Sequence, residues 1–398
     1  MARAKTAKRK KKASKGKIIF FAVVVLVIIA ALVALWYFKP DVFNEILASF
    51  IQKDDPTSDI GTGGGQEDNP YVTGDTLEMT VLDVEQGDCI FISFPDGQTM
   101  MMDIGSANGS QWDKIDAFLR ARNLTQLDYL YITHGDQDHI RDAKQFIDNY
   151  EIKSFYMPLD KAQSTKTWLN LLEAAKEETY TDEKGSTVKA TYNNNVGAYT
   201  ISGENWEMKC YSFDEADYPT GTDAKKKNAV SPISLLEYAN RTIVLTGDAN
   251  EMTEEYVLGK GYLDNIDTDI LKVGHHGSKS STTQAFLDKI DAEFAIISTN
   301  GTREVPGSYE HPTKELLARL DGYTDAVPDA DYNGFREIYI TGSDGDITVR
   351  IGANGGINIT ASEAPDKNYG EVQVSAVFVN EGKLYAVCIK RGAYVVQE

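Results

Sequence analysis

The stretch Thr133-His134-Gly135-Asp136-Gln137-Asp138-His139 limits what this chain can fold into more than any other. Four metal-capable side chains, His134, Asp136, Asp138 and His139, fall within six residues. They follow Leu127-Asp128-Tyr129-Leu130-Tyr131-Ile132, the apolar and aromatic pattern of a buried strand, so they lie just past that strand's carboxyl end. A tight loop there directs His134 and Asp136 one way and Asp138 and His139 another. That suits two metal ions side by side, with imidazole and carboxylate ligands. The plainer alternative is a polar strand-to-helix loop with Asp as the helix cap. The chain has five histidines, and the use of two of them in one short loop favours the metal reading.

The other three histidines fall at comparable places. His275 and His276 follow the strand pattern Ile270-Leu271-Lys272-Val273 and stand between Gly274 and Gly277. His311 precedes Pro312 at the mouth of a helix expected over 313–320. Asp248 follows the strand pattern Thr242 to Leu245, where a helix N-cap is the competing role. Ligands from several strand ends converging on one edge are what an active site on an α/β scaffold requires.

The chain has 398 residues, 42% of them hydrophobic, enough for a large core. Its net charge of −20 is uneven. Residues 1–17 hold nine Lys or Arg and no acid, which leaves 31 basic against 60 acidic residues, a net of −29, in the rest. An acidic body argues against a broad nucleic-acid-binding surface but not against a nuclease whose metals meet phosphate locally. Cys89, Cys210 and Cys388 form no CxxC pair or disulfide framework; each sits in an apolar, strand-like context expected to be core.

From the N-terminus, the basic tail 1–17 precedes an unbroken apolar run of 21 residues, Ile18 to Phe38. At about 1.5 Å per residue this spans a hydrocarbon core of about 30 Å. Trp36 and Tyr37 stand at its far end as interfacial aromatics, and the positive tail keeps the N-terminus cytoplasmic. The expectation is a single-pass, uncleaved anchor at 18–38, with the rest of the chain outside the cell membrane. A cleaved signal peptide is the alternative, but no Ala-x-Ala site closes the run. Residues 39–76 read as a juxtamembrane segment and a flexible Gly/Asp/Ser/Thr tether.

The globular part is expected over 77–352. Strands are expected over 77–84, 89–94 and 99–104, and an amphipathic helix over 112–122 with Trp112, Ile115, Phe118 and Leu119 on one face. The stretch from Tyr180 to Tyr211 reads as hairpin material. Thr222 to Val230, with Lys225-Lys226-Lys227, reads as a basic loop, either merely solvated or able to steer a polyanion. Residues 353–398 read as a C-terminal β-rich extension.

Taken together, these motifs resemble the metallo-β-lactamase-fold hydrolases, specifically the soluble domain of the ComEC-type DNA-uptake (competence) proteins. The residues that carry the resemblance are Leu82 to Asp88, Asp103-Ile104-Gly105, the His134 to His139 loop, Leu245-Thr246-Gly247-Asp248, His275 to Ser281, His311-Pro312, and the polar pair Asn228 and Ser231. The likeness covers about residues 77–350. It implies an α/β fold, a four-layer αββα sandwich with the metal site along one edge of the two sheets. It also implies two divalent ions, zinc or manganese. His134, Asp136 and Asp248 would hold the first. Asp138, His139, Asp248 and either His275 or His276 would hold the second, with Asp248 bridging. The ions would activate a shared water. Asp138 would orient it, and His311 would contact phosphate or protonate the leaving oxygen. Asn228, Ser231, Ser278, Lys279 and Ser281 would line the phosphodiester site.

The chain also departs from the family pattern. Asp136 stands where the second His of the motif is usual, no His lies between His139 and His275, and Arg141-Asp142 replaces an expected Gly-Gly. A multispanning channel has no counterpart in one anchor. The expectation is therefore a membrane-anchored, extracytoplasmic phosphodiesterase or nuclease. A cell-wall phosphodiester such as wall teichoic acid is the alternative substrate. A non-catalytic anchored binding module with a degenerate metal site is the alternative class.

Overall fold

Residues of alternating parity in each strand face different cores. Met100 and Met102 pack with Leu77, Met79, Ile90 and Ile92, whereas Met101, Cys89 and Phe91 pack with Ile115, Leu119 and Trp168. Period-two alternation with both parities apolar is the signature of a strand buried on both faces. Such strands require a layer on each side.

The computed structural model describes residues 75–160, 163–220, 224–321, 323–324, 327–328 and 337–363, and the backbone of 373–380, 383–390 and 393–397. The basic tail, the apolar run 18–38 and the tether up to residue 74 lie outside the described residues. Among those described, no helix is long and apolar enough to cross a membrane.

One sheet has eight strands in the order β19 (Ile357–Ala361), β18 (Ile347–Gly352), β1 (Thr76–Val81), β2 (Cys89–Ser93), β3 (Thr99–Ile104), β4 (Gln126–Tyr131), β5 (Glu151–Met157) and β8 (Thr191–Asn194). The other has seven: β17 (Glu337–Ile340), β14 (Phe294–Ile297), β13 (Ile270–Lys272), β12 (Arg241–Leu245), β11 (Ile233–Tyr238), β10 (Trp206–Tyr211) and β9 (Ala198–Ser202). The sheets meet across a core that joins Met79, Ile92 and Met102 to Met208, Leu236, Leu245 and Ile270. The outer face of the first is covered by α1 (Trp112–Arg120), α3 (Ala143–Ile147) and α4 (Lys166–Glu177) through Leu119, Phe146, Trp168 and Leu171. The outer face of the second is covered by α6 (Glu251–Gly259), α7 (Gln284–Ile290) and α8 (Lys314–Leu320) through Val257, Phe286, Leu287, Leu316 and Leu320. The layers run helix, sheet, sheet, helix, as expected.

The site follows from strand direction. β3, β4 and β5 run parallel, and so do β12, β13, β14 and β17. Parallel strands place all their carboxyl ends at one edge, where ligand sites of α/β sheets lie.

Three local features differ from the sequence reading. The stretch from Tyr180 to Tyr211 holds the expected hairpins, β6 (Thr179–Thr181) with β7 (Thr187–Lys189) and β9 with β10, but it also divides between the layers: β8 extends the first sheet, and β9 and β10 form the edge of the second. Residues 224–228, expected as loop, form the short helix α5 (Ala224–Asn228). β19 pairs with β18, so the first sheet continues past residue 352 into the stretch expected to be a C-terminal extension. Further on, β20 (Gln373–Asn380), β21 (Lys383–Lys390) and β22 (Ala393–Gln397) form a three-stranded antiparallel sheet. Cys89 and Cys210 are buried free thiols.

Candidate metal centre

The loops that follow the strands are knitted to one another by backbone hydrogen bonds. The Asp88 N–H donates to the Asp138 carbonyl, the Gly105 N–H to the Asp88 carbonyl and the Asp142 N–H to the Ile104 carbonyl. The loop after β4 turns into the one-turn helix α2 (Gln137–Ile140), which carries Asp138 and His139. Gly105 lies directly beneath it, where a Cβ would come within 2.5 Å of the Asp138 carbonyl carbon and the His139 nitrogen. Only glycine allows this approach.

Two imidazoles face each other. His139 Nε2 and His276 Nε2 are 3.1 Å apart. The other ring nitrogen of each is engaged: His139 Nδ1 donates to the Asp103 carboxylate at 2.7 Å, and His276 Nδ1 donates to the Ser298 carbonyl at 2.9 Å. With the protons on Nδ1, two lone pairs converge, an arrangement that a cation, or a proton shared between the rings, satisfies. Asp248 Oδ1 lies 3.1 Å from His139 Nε2 and 3.5 Å from His276 Nε2, and Asp138 Oδ2 lies 3.4 Å from His276 Nε2. Donors about 2.0–2.1 Å from a tetrahedral ion stand roughly 3.3 Å apart; His139, His276 and Asp248 stand at such spacings from one another, and Asp138 does so from His276.

Beside them, His134 Nε2 is 3.7 Å from Asp248 Oδ2 and 3.9 Å from Asp136 Oδ2. His134 Nδ1 faces the hydroxyls of Thr133 and Ser231. This second trio is looser, and the Lys227 ammonium stands 3.5 Å from Asp136 Oδ1. His134 Nε2 and Asp248 Oδ1 are both buried without a hydrogen-bond partner. Such atoms cost about 1–3 kcal/mol each unless something fills the gap. The donor set and its orphaned atoms fit divalent ions.

The double histidine reaches inward through backbone strain. His275 and His276 both adopt left-handed conformations, at φ 49° and 52°. This costs a non-glycine residue about 1–2 kcal/mol. The turn sends His276 into the core of the site. It leaves His275 half-buried at the mouth, 3.1 Å from Asn228 Nδ2 and 3.5 Å from Asp248 Oδ2.

Electrostatics follow the burial. Burial opposes charge on His139, but the Asp248 and Asp103 carboxylates outweigh it and hold this imidazole well above its ordinary range. Burial also works against Asp248, yet His139, His275 and His276 keep it well below the usual carboxylate range. Asp138 is lowered likewise, against burial, by its hydrogen bond with His276 and the charge of His139. His134 is depressed by burial and by His139. Burial, then His276 and His275, push His311 down to about 4.

Asp88, His139, Asp248 and His276 offer ligand atoms all within 4.8 Å of one another. Asp88 is nonetheless already engaged: it pairs with the fully buried Lys272 at 2.9 Å and accepts from the Ser298 hydroxyl. It lies on the Nδ1 side of His276, 3.7 Å away, and braces the ring from behind. No role for Asp88, Lys272, Asp103 or Ser298 was legible in the sequence motifs. A visible signal existed in Lys272, a lysine in the middle of an apolar strand, which is rarely buried without a partner.

The cleft over these groups holds about 470 Å³ and is lined by Gln86, Asp138, Arg141, Asn228, Tyr309 and His311 among others. A larger cleft of about 850 Å³ lies on the outer face of β9 to β12 and contains no histidine. Of the expected substrate residues, Asn228 lines the site and donates to Asp248 Oδ2 at 3.2 Å. Ser231 is fully buried and accepts the Asp248 N–H, so it supports the ligands from behind. Ser281 is fully buried, Ser278 nearly so and hydrogen-bonded to Ser280, and Lys279 is exposed; none of the three reaches the cleft wall.

Two facing sheets, helices outside, and a His/Asp cluster at the carboxyl ends of parallel strands define a metallo-β-lactamase-fold protein with a candidate metal site. Residues 82–209 match the family described as the metallo-beta-lactamase superfamily. Beyond the family, the chain is similar to ComE operon protein 3 of Bacillus subtilis, 29% identical over 272 residues that make up 65% of this chain and 32% of that protein. It is similar to Recombination protein 2 of Haemophilus influenzae, 26% identical over 65% of this chain and 28% of that protein. It is also similar to the competence protein ComA of Neisseria gonorrhoeae, 22% identical over 61% of this chain and 29% of that protein. The resemblance to ComEC-type competence proteins read from the motifs is thereby shown. The chain spans about a third of the length of these relatives.

Proposed function

We propose that the chain is a metal-dependent phosphodiesterase, anchored in the cell membrane through residues 18–38, with its site outside the cytoplasm. The observation that carries this reading is the pair of orphaned buried atoms, His134 Nε2 and Asp248 Oδ1, within a ring of imidazoles and carboxylates that opens on a single cleft. Asp138, His139, Asp248 and His276 would hold one ion. His134, Asp136 and Asp248 would hold another, where Lys227 competes for Asp136. Zinc or manganese suits this mixed set. Bound there, such ions supply Lewis acidity toward water and toward a phosphoryl oxygen.

The protein's own groups do the rest. Asp138, ionised at neutral pH and one-fifth exposed, accepts a hydrogen bond from the attacking water and aims it. The Thr299 hydroxyl donates to Gln86 Oε1, so Gln86 Nε2 points at His311 Nδ1 at 3.2 Å. His311 Nδ1 therefore accepts, and Nε2 carries the ring proton. With its pKa near 4 the ring is neutral at pH 7. It serves as a hydrogen-bond donor to a phosphate or leaving oxygen, and not as an imidazolium acid.

Tyr309, 71% exposed at the rim, offers a ring face to a base, and the names of the relatives speak of competence and recombination. Both support a nucleic acid substrate over a small molecule. The test is metal content of the full chain purified in detergent, followed by hydrolysis of DNA, RNA, a glycerol phosphate polymer, bis-p-nitrophenyl phosphate and a β-lactam with zinc or manganese. Stoichiometric metal and metal-dependent phosphodiester cleavage are expected, both lost in Asp138→Asn. Substoichiometric metal with no cleavage would instead make the chain an anchored binding module.

A further inference from the structure

Arg141 stands in the cleft wall at the position where the sequence departs from the expected Gly-Gly. Its guanidinium is held from one side only. Nε donates to the Ser106 carbonyl at 2.5 Å, and Nη2 donates to the Ala107 carbonyl at 3.2 Å and to Gln137 Oε1 at 2.9 Å. All three acceptors are neutral. Arg141 makes no ion pair among the described residues, although Asp136, Asp138 and Asp248 line the same cleft. Nη1 has no acceptor among the described residues. Lys227 and Lys272, which also stand near these groups, are paired with Asp136 and Asp88.

A half-buried arginine with no ion pair among the described residues and one nitrogen without an acceptor is poised for an anion. Three neutral contacts fix its plane, so little side-chain entropy remains to be lost on binding. Its companion Asp142 is directed away from the cleft and takes the Ser110 hydroxyl and the Gln111 N–H, which fastens the loop that supplies the Arg141 acceptors.

We propose that Arg141 forms an anion subsite for a phosphate that neighbours the scissile one, so that the protein selects polyphosphodiester chains over isolated diesters. The proposal rests on the phosphodiesterase reading of the same cleft. Nucleic acids and glycerol phosphate polymers share this chemistry, and the test separates them.

Binding is followed by fluorescence anisotropy of a labelled, nuclease-resistant phosphorothioate oligonucleotide on the full chain in detergent, with zinc or manganese present, over a series of salt concentrations. The variant Arg141→Gln keeps hydrogen-bond donors for the loop carbonyls and removes the charge. Its affinity is expected to fall roughly ten- to a hundredfold, the range of a charge-assisted contact. Its slope of log affinity against log salt should become shallower by about 0.7, one single-strand phosphate contact. Arg141→Lys should retain the slope while losing part of the affinity. An abasic chain that binds as well as the oligonucleotide identifies the phosphate chain itself as the ligand, and a weaker abasic chain identifies nucleic acid; either supports the subsite. Equal affinity and equal slope in wild type and Arg141→Gln would overturn it, even where the protein holds metal and cleaves phosphodiesters. A protein that binds no polyanion would overturn it too. Failure of the phosphodiesterase reading alone appears separately, as absent metal and absent cleavage.

Discussion

At the scale of single residues, the cost of the site lies in its buried charges. Asp88 and Lys272 form an ion pair with both side chains essentially inaccessible. Removing one partner leaves the other charged and dry, a loss of about 3–5 kcal/mol, whereas replacing both by apolar residues of similar volume is often neutral. Asp88→Ala and Lys272→Met should each lower stability by that amount, and the double variant should recover most of it, as read by urea denaturation. Burial raises Asp88, but Lys272, His276 and His139 outweigh it and hold the carboxyl below its ordinary value. The pair's contribution is therefore complete above pH 4 or so and is lost as pH falls through the depressed folded value. His311 has the opposite charge type. The unfolded imidazole binds a proton near pH 6.5, and the folded one does so only at about 4. Between these values the unfolded chain holds more protons, so stability falls as pH drops from about 6.5 to about 4 and levels off below. In His311→Phe that part of the slope should disappear, a result that thermal melts across this pH range would detect.

At the scale of elements, short pieces of regular structure hold the candidate ligands, and each depends on a close approach by its neighbour. The α2 turn rests on Gly105, and the 3-10 turn Gly274–Gly277 rests on Pro312, which a Cβ on Gly277 would meet at 2.7 Å. Gly105→Ala should push α2 off its bed, at about 1–3 kcal/mol by the usual cost of overpacking. Metal affinity should fall along with stability, because Asp138 and His139 move together. Isothermal titration with zinc or manganese reads the affinity, and unchanged affinity would separate the turn from the site. At this scale β12 and β13 were visible in the pattern of the sequence, whereas α2, which falls within the stretch expected as a tight loop, and α5 were not. The run Lys225-Lys226-Lys227 has no apolar periodicity of its own. Its helix is held from outside, where Asn250 Nδ2 donates to the Lys225 carbonyl and Lys225 pairs with Glu251.

At the scale of the whole molecule, the layered body and the apolar run 18–38 are separate matters. If the run is an anchor, the full chain should stay with membranes through a carbonate wash, and a chain lacking residues 1–38 should be released. An added protease should digest the globular part from the outer face only. Release of the full chain by carbonate would remove the anchor from the proposed function.

The sequence by itself determined the edge at which the chemistry sits, and it implied the layered architecture through the family resemblance of its motifs. Doubly apolar strands such as 99–104 need a layer on each side, and a polar cluster at a strand's end has to emerge at the rim. Only the tertiary structure decided which of two adjacent histidines turns inward, since that depends on paired left-handed conformations at His275 and His276. The same holds for Asp103 as the support of His139 and for Asp88 with Lys272 behind His276, partners separated by 36 and 184 residues. Such contacts are set by how strands pair within a sheet and how the two sheets face each other, and no local spacing records them.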